Sequence, residues 1–115
     1  MRVLFLDDQP DRVVRQRARA PGADVVWVRN AFEAVKMARA YVYDVVSLDH
    51  DLDPGMGTGM AAAMLLAAYA GASSSAIYVV HSMNPKNGPR MFGVLGRSGK
   101  TVQYRPFDLF PGVRG

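Results

Sequence analysis

The residues able to do chemistry fall in three short clusters, each directly after an apolar run. Asp7 and Asp8 follow residues 3–6, Asp49, His50, Asp51 and Asp53 follow Val45–Leu48, and His81, Ser82 and Asn84 follow residues 76–80. A carboxylate cluster is not core packing, because unpaired charge is almost never buried. Carboxylates brought to one spot repel. A hard cation such as Mg²⁺, with substrate phosphate completing its shell, is the usual relief. Asp7, Asp8 and Asp49 are therefore the candidate metal ligands, if the fold joins the first two clusters. The competing role, capping at strand-to-helix turns, suits Asp8 or Asp11 but not Asp49 together with Asp51.

His50 and His81 are the only two histidines in the chain. An imidazole pair can supply a general base and a general acid near neutral pH, the two proton transfers needed to open a cyclic phosphate. A transition metal held by both histidines and a carboxylate is the variant of this idea. Ser82 and Asn84 can donate hydrogen bonds to phosphoryl oxygens, and Arg105 can neutralise the charge that grows during transfer. Asn84 also suits a turn before Pro85. Ser82 has no triad-like neighbour in sequence and is not read as a nucleophile.

Three other motifs fail. Gly99-Lys100-Thr101 lacks the earlier glycine of a P-loop and precedes a strand. Residues 49–53 resemble a calcium loop, but Pro54 and Met60 replace its glycine and closing glutamate. The run Gly55-Met56-Gly57-Thr58-Gly59 lacks the third dinucleotide glycine at the right step and reads as a flexible lip of a site.

Elements must deliver these clusters to one place. Residues 2–6, 25–28, 45–48, 77–80 and 101–104 read as short strands, the central ones buried on both faces. Helices are expected over 12–20, capped by Asp11, and over 31–43, capped by Asn30 with Phe32, Val35, Ala38 and Val42 facing the sheet. A third is expected over 60–70, and a short fourth starting at Pro89 with Met91, Phe92 and Leu95 inward. The third is apolar almost all round. That pattern suits a dimer face, but alanine's helix propensity accounts for it more simply.

This unbroken alternation implies an α/β fold: a five-stranded parallel sheet in the order 2-1-3-4-5, joined by right-handed crossovers, with helices on both faces. Ligands of such sheets bind beyond the carboxyl ends of the strands, where every polar cluster falls. With 115 residues, the expectation is one domain over 1–115, with 107–115 a tail. The absence of cysteine excludes disulfides and thiolate metal sites. The first residues run into acid too early for a signal peptide, and 60–72 is too short to span a bilayer. A cytoplasmic protein with no membrane partner is expected, as monomer or homodimer. The net charge of +4 favours anionic partners, while the lack of a basic run with interleaved aromatics argues against duplex DNA.

Nearly the whole chain resembles the receiver domain of two-component response regulators, a flavodoxin-like fold. Asp7-Asp8 match the receiver's metal-binding acids, Asp49 its phosphorylated aspartate, and Ser82 the hydroxyl residue after strand four. Arg105-Pro106 stands where receivers have Lys-Pro, a change of charge geometry. Receivers do not normally carry His-Asp-Leu after that aspartate, nor a histidine before the hydroxyl residue. The motifs Leu48-Asp49-His50-Asp51-Leu52 and His81-Ser82-Met83-Asn84-Pro85 are instead similar to the receiver-derived family named for cyclic-phosphate processing. Its members also tend to carry an arginine just after the first acidic pair. Here Arg12 is the nearest, displaced by Gln9-Pro10-Asp11.

That resemblance implies a phosphoesterase-like domain that hydrolyses or processes cyclic or terminal phosphates of nucleotides or RNA ends. Its catalytic set would be His50, His81, Asp49 and Arg105, with Ser82, Asn84, Asp51 and Arg12 contacting substrate. A divalent cation, Mg²⁺ or a transition metal, would sit at Asp7, Asp8 and Asp49. The alternative is a non-catalytic receiver-like module for signalling or partner binding, which would need Asp49, a hydroxyl and a basic residue but not the histidines.

Overall fold

The computed structural model describes residues 1–106. Five parallel strands, β1 (Arg2–Leu6), β2 (Asp24–Val28), β3 (Val45–Leu48), β4 (Ile77–Val80) and β5 (Thr101–Tyr104), form one sheet in the order β2-β1-β3-β4-β5. Four of them have the expected bounds, and β2 begins one residue earlier than expected, at Asp24. β3 is buried at every position, because both faces of the sheet are covered.

The period-two alternation of strand side chains divides the core into two layers. Leu4, Leu6, Val46, Leu48, Tyr78 and Val80 pack under α2 (Ala31–Ala40), α3 (Gly59–Ala68) and α4 (Asn87–Arg97). Val3, Phe5, Val45 and Val79 pack on the other side with Val13 of α1 (Pro10–Arg19). The tail expected over 107–115 lies outside the described residues. No helix among the described residues is long and apolar enough to cross a membrane.

The helices differ from expectation in their starts and faces. α1 begins at Pro10 with Gln9, not Asp11, at the N-cap. Proline is pre-organised for the first helical position, where its missing N–H costs nothing. Asp11 instead pairs with Arg15 one turn later, at 3.1 Å. Asn30 caps α2 as expected, its side chain accepting from the N–H groups of Phe32 and Glu33. The inward face of α2 is Ala31, Ala34, Val35 and Ala38, while Phe32 and Val42 are 60% and 64% exposed. Small alanines let the helix lie close to the sheet, which turns the bulky neighbours outward. On α3, Ala62, Ala63 and Leu66 are buried but Met64 and Leu65 are exposed. α4 starts two residues before Pro89, which falls within the first turn, where its missing N–H is tolerated. Met91 and Leu95 of α4 are buried, whereas Phe92 is exposed.

Candidate functional site

Parallel register brings the three polar clusters side by side. Leu6 pairs with Leu48, and Leu48 with Val80, so the next residues, Asp7, Asp49 and His81, are neighbours. The ladder runs one bond past each strand: Asp49 N–H donates to Leu6 O at 3.0 Å, His81 N–H to Leu48 O at 3.0 Å and Arg105 N–H to Val80 O at 2.8 Å. The site is thus held by sheet backbone.

Beneath the surface lies a buried chain of polar groups. The imidazole of His81 is stacked on Phe5, with ring centroids 4.7 Å apart and planes 7° from parallel. Its Nδ1 is 2.7 Å from Ser47 Oγ, and its Nε2 is 2.9 Å from Asp7 Oδ2. An ionised carboxylate only accepts, so Nε2–H donates to Asp7 and the Ser47 hydroxyl donates to Nδ1. Burial pushes the His81 pKa below its ordinary value, outweighing the pull of Asp7, and the ring is neutral. Burial alone would raise Asp7. Hydrogen bonds from His81 and the Gln9 N–H, together with the Arg12 charge, hold it below the usual carboxylate range. The Trp27 indole N–H also ties down the Asp7 carbonyl, at 2.8 Å.

Above this chain is a cleft of about 200 Å³ lined by Asp8, Gln9, Arg12, Asp49, Asp51, Leu52 and Met83. Arg12 Nη1 lies 3.3 Å from Asp7 Oδ2 and 3.3 Å from Asp49 Oδ2, bridging two clusters. Asp49 also accepts from the His50 N–H at 2.9 Å. Burial and the nearby Asp7 push its pKa up to about 7, despite Arg12. Asp8 is raised as well, by burial and by the charges of Asp7 and Asp53.

The far wall is built from the other histidine. His50 Nδ1 is 2.8 Å from Asp51 Oδ1, and Asn84 Nδ2 donates to the same oxygen at 3.2 Å. The His50 bond and Asn84 together hold the Asp51 pKa down. The loop under this wall depends on Gly59. Its N–H donates to His50 O at 3.0 Å, and a Cβ there would collide with the carbonyl oxygen of Asp49. Gly59 is therefore a close-approach residue as well as the start of α3.

The fold thus gathers Asp7, Asp8, Arg12, Asp49 and Asp51, with Asn84 attached through Asp51. It does not set two histidine edges in the cleft. His81 lies below with both nitrogens engaged, and His50, whose side chain is 11% exposed, meets the cleft through Asp51. Ser82 is buried, with its hydroxyl accepting from Asn84 N–H at 3.1 Å, and His81 rather than Ser82 stands level with Asp49. Arg105 is half-buried and does not line the cleft; the cation there is Arg12. The ligand atoms of Asp7, Asp49 and His81 all lie within 4.8 Å of one another, but both His81 nitrogens are engaged, which leaves the two carboxylates as the donors there for a cation. Sequence reasoning missed Ser47, Phe5 and Trp27 as supports. Ser47 alone carried a signal, as the one polar residue in an apolar strand.

Comparison with known proteins bears on the family and the fold. The sequence model of a family described as the cyclic-phosphate processing receiver domain matches residues 2–97. Among curated proteins no sequence matches significantly. The chain is similar in structure to the response regulator domain of Thermotoga maritima CheB, with a TM-score of 0.63 at 21% identity, over 96% of this chain and 82% of that one. It is also similar to the receiver domain of a sensor histidine kinase from Pseudomonas aeruginosa PAO1, determined with a magnesium ion in the active-site cleft. There the TM-score is 0.65 at 22% identity, covering 93% of this chain and 86% of that chain. A sensor protein from Polaromonas sp. JS666 gives 0.68 at 22% identity, over 93% and 85% of the two chains.

Proposed function

Because the chain belongs to the cyclic-phosphate processing receiver family, we propose that it hydrolyses cyclic or terminal phosphates of nucleotides or RNA ends in the cleft around Asp49. One observation carries this reading: Asp49, buried beside Asp7, faces a cleft with an arginine 3.3 Å away, and that burial pushes its pKa up to about 7. A group that titrates near the working pH is suited to both halves of a proton transfer.

In ring opening, water attacks phosphorus and Asp49 takes its proton as the new P–O bond forms. One ring P–O bond then breaks, and the same proton passes to the departing ribose oxygen. Arg12 meets the phosphoryl oxygens with charge-assisted hydrogen bonds. His81 keeps Asp7 ionised and in place, which fixes Arg12. His50 and Asn84 position Asp51. These are positioning roles; the proton carrier is Asp49.

Several carboxylates facing an anionic substrate need further positive charge. Asp7 and Asp49, whose ligand atoms lie within 4.8 Å of each other, would hold a hard divalent cation such as Mg²⁺, with Asp8 on the wall of the same cleft; a cation there keeps Asp49 ionised, so proton transfer by Asp49 belongs to the metal-free cleft. When bound, the ion would supply charge neutralisation at the phosphate.

The test is to incubate the protein with 2′,3′- and 3′,5′-cyclic nucleotides and with cyclic-phosphate RNA ends, with and without Mg²⁺, and to separate the products. Ring opening that Asp49→Asn abolishes supports the reading. The second reading is a receiver-like switch, favoured by the place of Asp49 directly beyond β3 in a fold shared with signalling receivers. It predicts no turnover, with acetyl phosphate modifying Asp49 instead.

A further inference from the structure

The charge of this chain is divided unevenly. Residues 54–107 contain no Asp or Glu, yet hold Lys86, Arg90, Arg97, Lys100 and Arg105. Most of the first four are exposed, and Lys86, Arg90, Arg97 and Lys100 have no carboxylate partner among the described residues. Elsewhere Arg2, Arg12, Arg15 and Arg29 pair with aspartates, Arg17 donates to the Val25 carbonyl and Arg39 lies over the Tyr69 ring.

The unpaired cations border a groove. It runs between α3 and α4, encloses about 620 Å³, and is lined by Met60, Asn87, Pro89, Arg90, Gly93, Val94 and Arg97. Arg90, Gly93, Val94 and Arg97 share one helix face by their three-, four- and seven-residue steps. The helix macrodipole favours Arg97 in the last turn but disfavours Arg90 in the first, so the dipole does not account for the pattern. Gly93 keeps the floor open, and Met60, Pro89 and Val94 make it apolar.

Two covalently short links join this groove to the phosphate cleft. Met60 follows Gly59, whose N–H is bonded to His50 O, and Asn87 N–H donates to Asn84 Oδ1, whose amide holds Asp51. These links set the Asn87 end of the groove next to the Asp51 wall of the cleft. Arg97 lies about 10 Å beyond Arg90 along the helix axis, at about 1.5 Å per residue. That spacing exceeds the step between neighbouring phosphates and suits two phosphates of one strand with another between them.

We propose that this groove binds the sugar-phosphate strand leading to the terminal phosphate, so that the substrate is a single-stranded RNA end and not a free mononucleotide. Arg90 and Arg97 pair with its phosphates, and the apolar floor receives sugar and base faces. A cyclic phosphate at a strand end requires a 2′-hydroxyl, which selects RNA over DNA. The proposal rests on the phosphate-processing reading of the Asp49 cleft, and its test separates the two.

Fluorescence anisotropy should be measured on a labelled ten-nucleotide RNA ending in a 2′,3′-cyclic phosphate, with the mononucleoside 2′,3′-cyclic phosphate assayed for turnover. The double variant Arg90→Gln, Arg97→Gln replaces exposed side chains, and circular dichroism checks its fold. It should bind the RNA at least about 10-fold more weakly and lower the salt slope by about 1.4, given about 0.7 per phosphate contact on a single strand. Mononucleotide turnover should be unchanged. Asp49→Asn should lose turnover and keep RNA binding. If that variant binds RNA but wild type turns over nothing, the groove stands and the catalytic reading falls. RNA affinity unchanged in the double variant, or equal affinity for an acidic peptide of the same charge, overturns the groove.

Discussion

Replacing Asp49 with asparagine should stabilise this protein at neutral and higher pH, even as it removes the group proposed to carry the proton. The pKa of Asp49 rises from 3.8 to about 7 in the fold, with burial as the first cause and Asp7 as the second. The native state thus binds a proton more tightly than the unfolded chain does between those values. Stability contributed by the protonated group is complete below about pH 3.8, falls as pH rises through that window, and is fully lost above about pH 7. A shift of about three units sets a ceiling of about 4 kcal/mol, at 1.36 kcal/mol per unit. Asparagine keeps the size of the side chain and the acceptor for the His50 N–H. It weakens the 3.3 Å contact with Arg12, whose other partner, Asp7, remains. A net gain of about 1–3 kcal/mol is expected near pH 8, shrinking towards zero near pH 4. Urea unfolding of both proteins in a chelating buffer at several pH values measures it, and contributions from other carboxylates cancel in the difference. A variant less stable than wild type near pH 8, or a difference that does not vary with pH, would refute the account of Asp49 as a buried charge under strain.

Other consequences follow from the supports of the site. His81→Ala removes the ring stacked on Phe5 and leaves Ser47 and Asp7 without their buried partner. A loss of about 3–5 kcal/mol is expected in thermal or urea unfolding, and a loss below about 1 would mean that the buried chain is dispensable. Gly59→Ala places a methyl group against the Asp49 carbonyl, so it should destabilise the fold by a few kcal/mol, on the order of ~1–3. The same variant should weaken Mg²⁺ or phosphate binding by calorimetry, since the loop cannot keep its approach. Mg²⁺ itself should bind wild type and bind Asp49→Asn more weakly; equal affinity would move the ion away from Asp49.

Much of the fold was legible because its signals are local. The runs at 2–6, 45–48 and 77–80 are short, mostly apolar and end at polar residues, and 101–104 is a β-prone Thr-Val-Gln-Tyr run between Lys100 and Arg105, so strand bounds and the alternation with helices followed directly. The register then made Asp7 and Asp49 neighbours, as the sequence suggested. What failed was decided by packing across elements. Phe32 is as apolar as Val35, but Ala31 and Ala34 let α2 approach the sheet, and Phe32 turned outward. His81 reads as a catalytic imidazole until Phe5, Ser47 and Asp7, from two other strands, enclose it. Arg105 sits at the familiar receiver position, yet an arginine on α1 reaches Asp49, because helix start and side-chain length rather than sequence distance set which cation arrives.

The most direct test of the account is the pH dependence of cyclic-phosphate ring opening, followed by ³¹P NMR in wild type and Arg12→Ala. Wild type should convert the cyclic ester to the monoester with a rate that changes around pH 7, the value to which burial pushes Asp49. Arg12 lowers that pKa, so Arg12→Ala should be slower and move the midpoint upward. A cyclic ester left intact by wild type, or a rate that is flat across neutral pH, would contradict the assignment of Asp49 as the proton carrier.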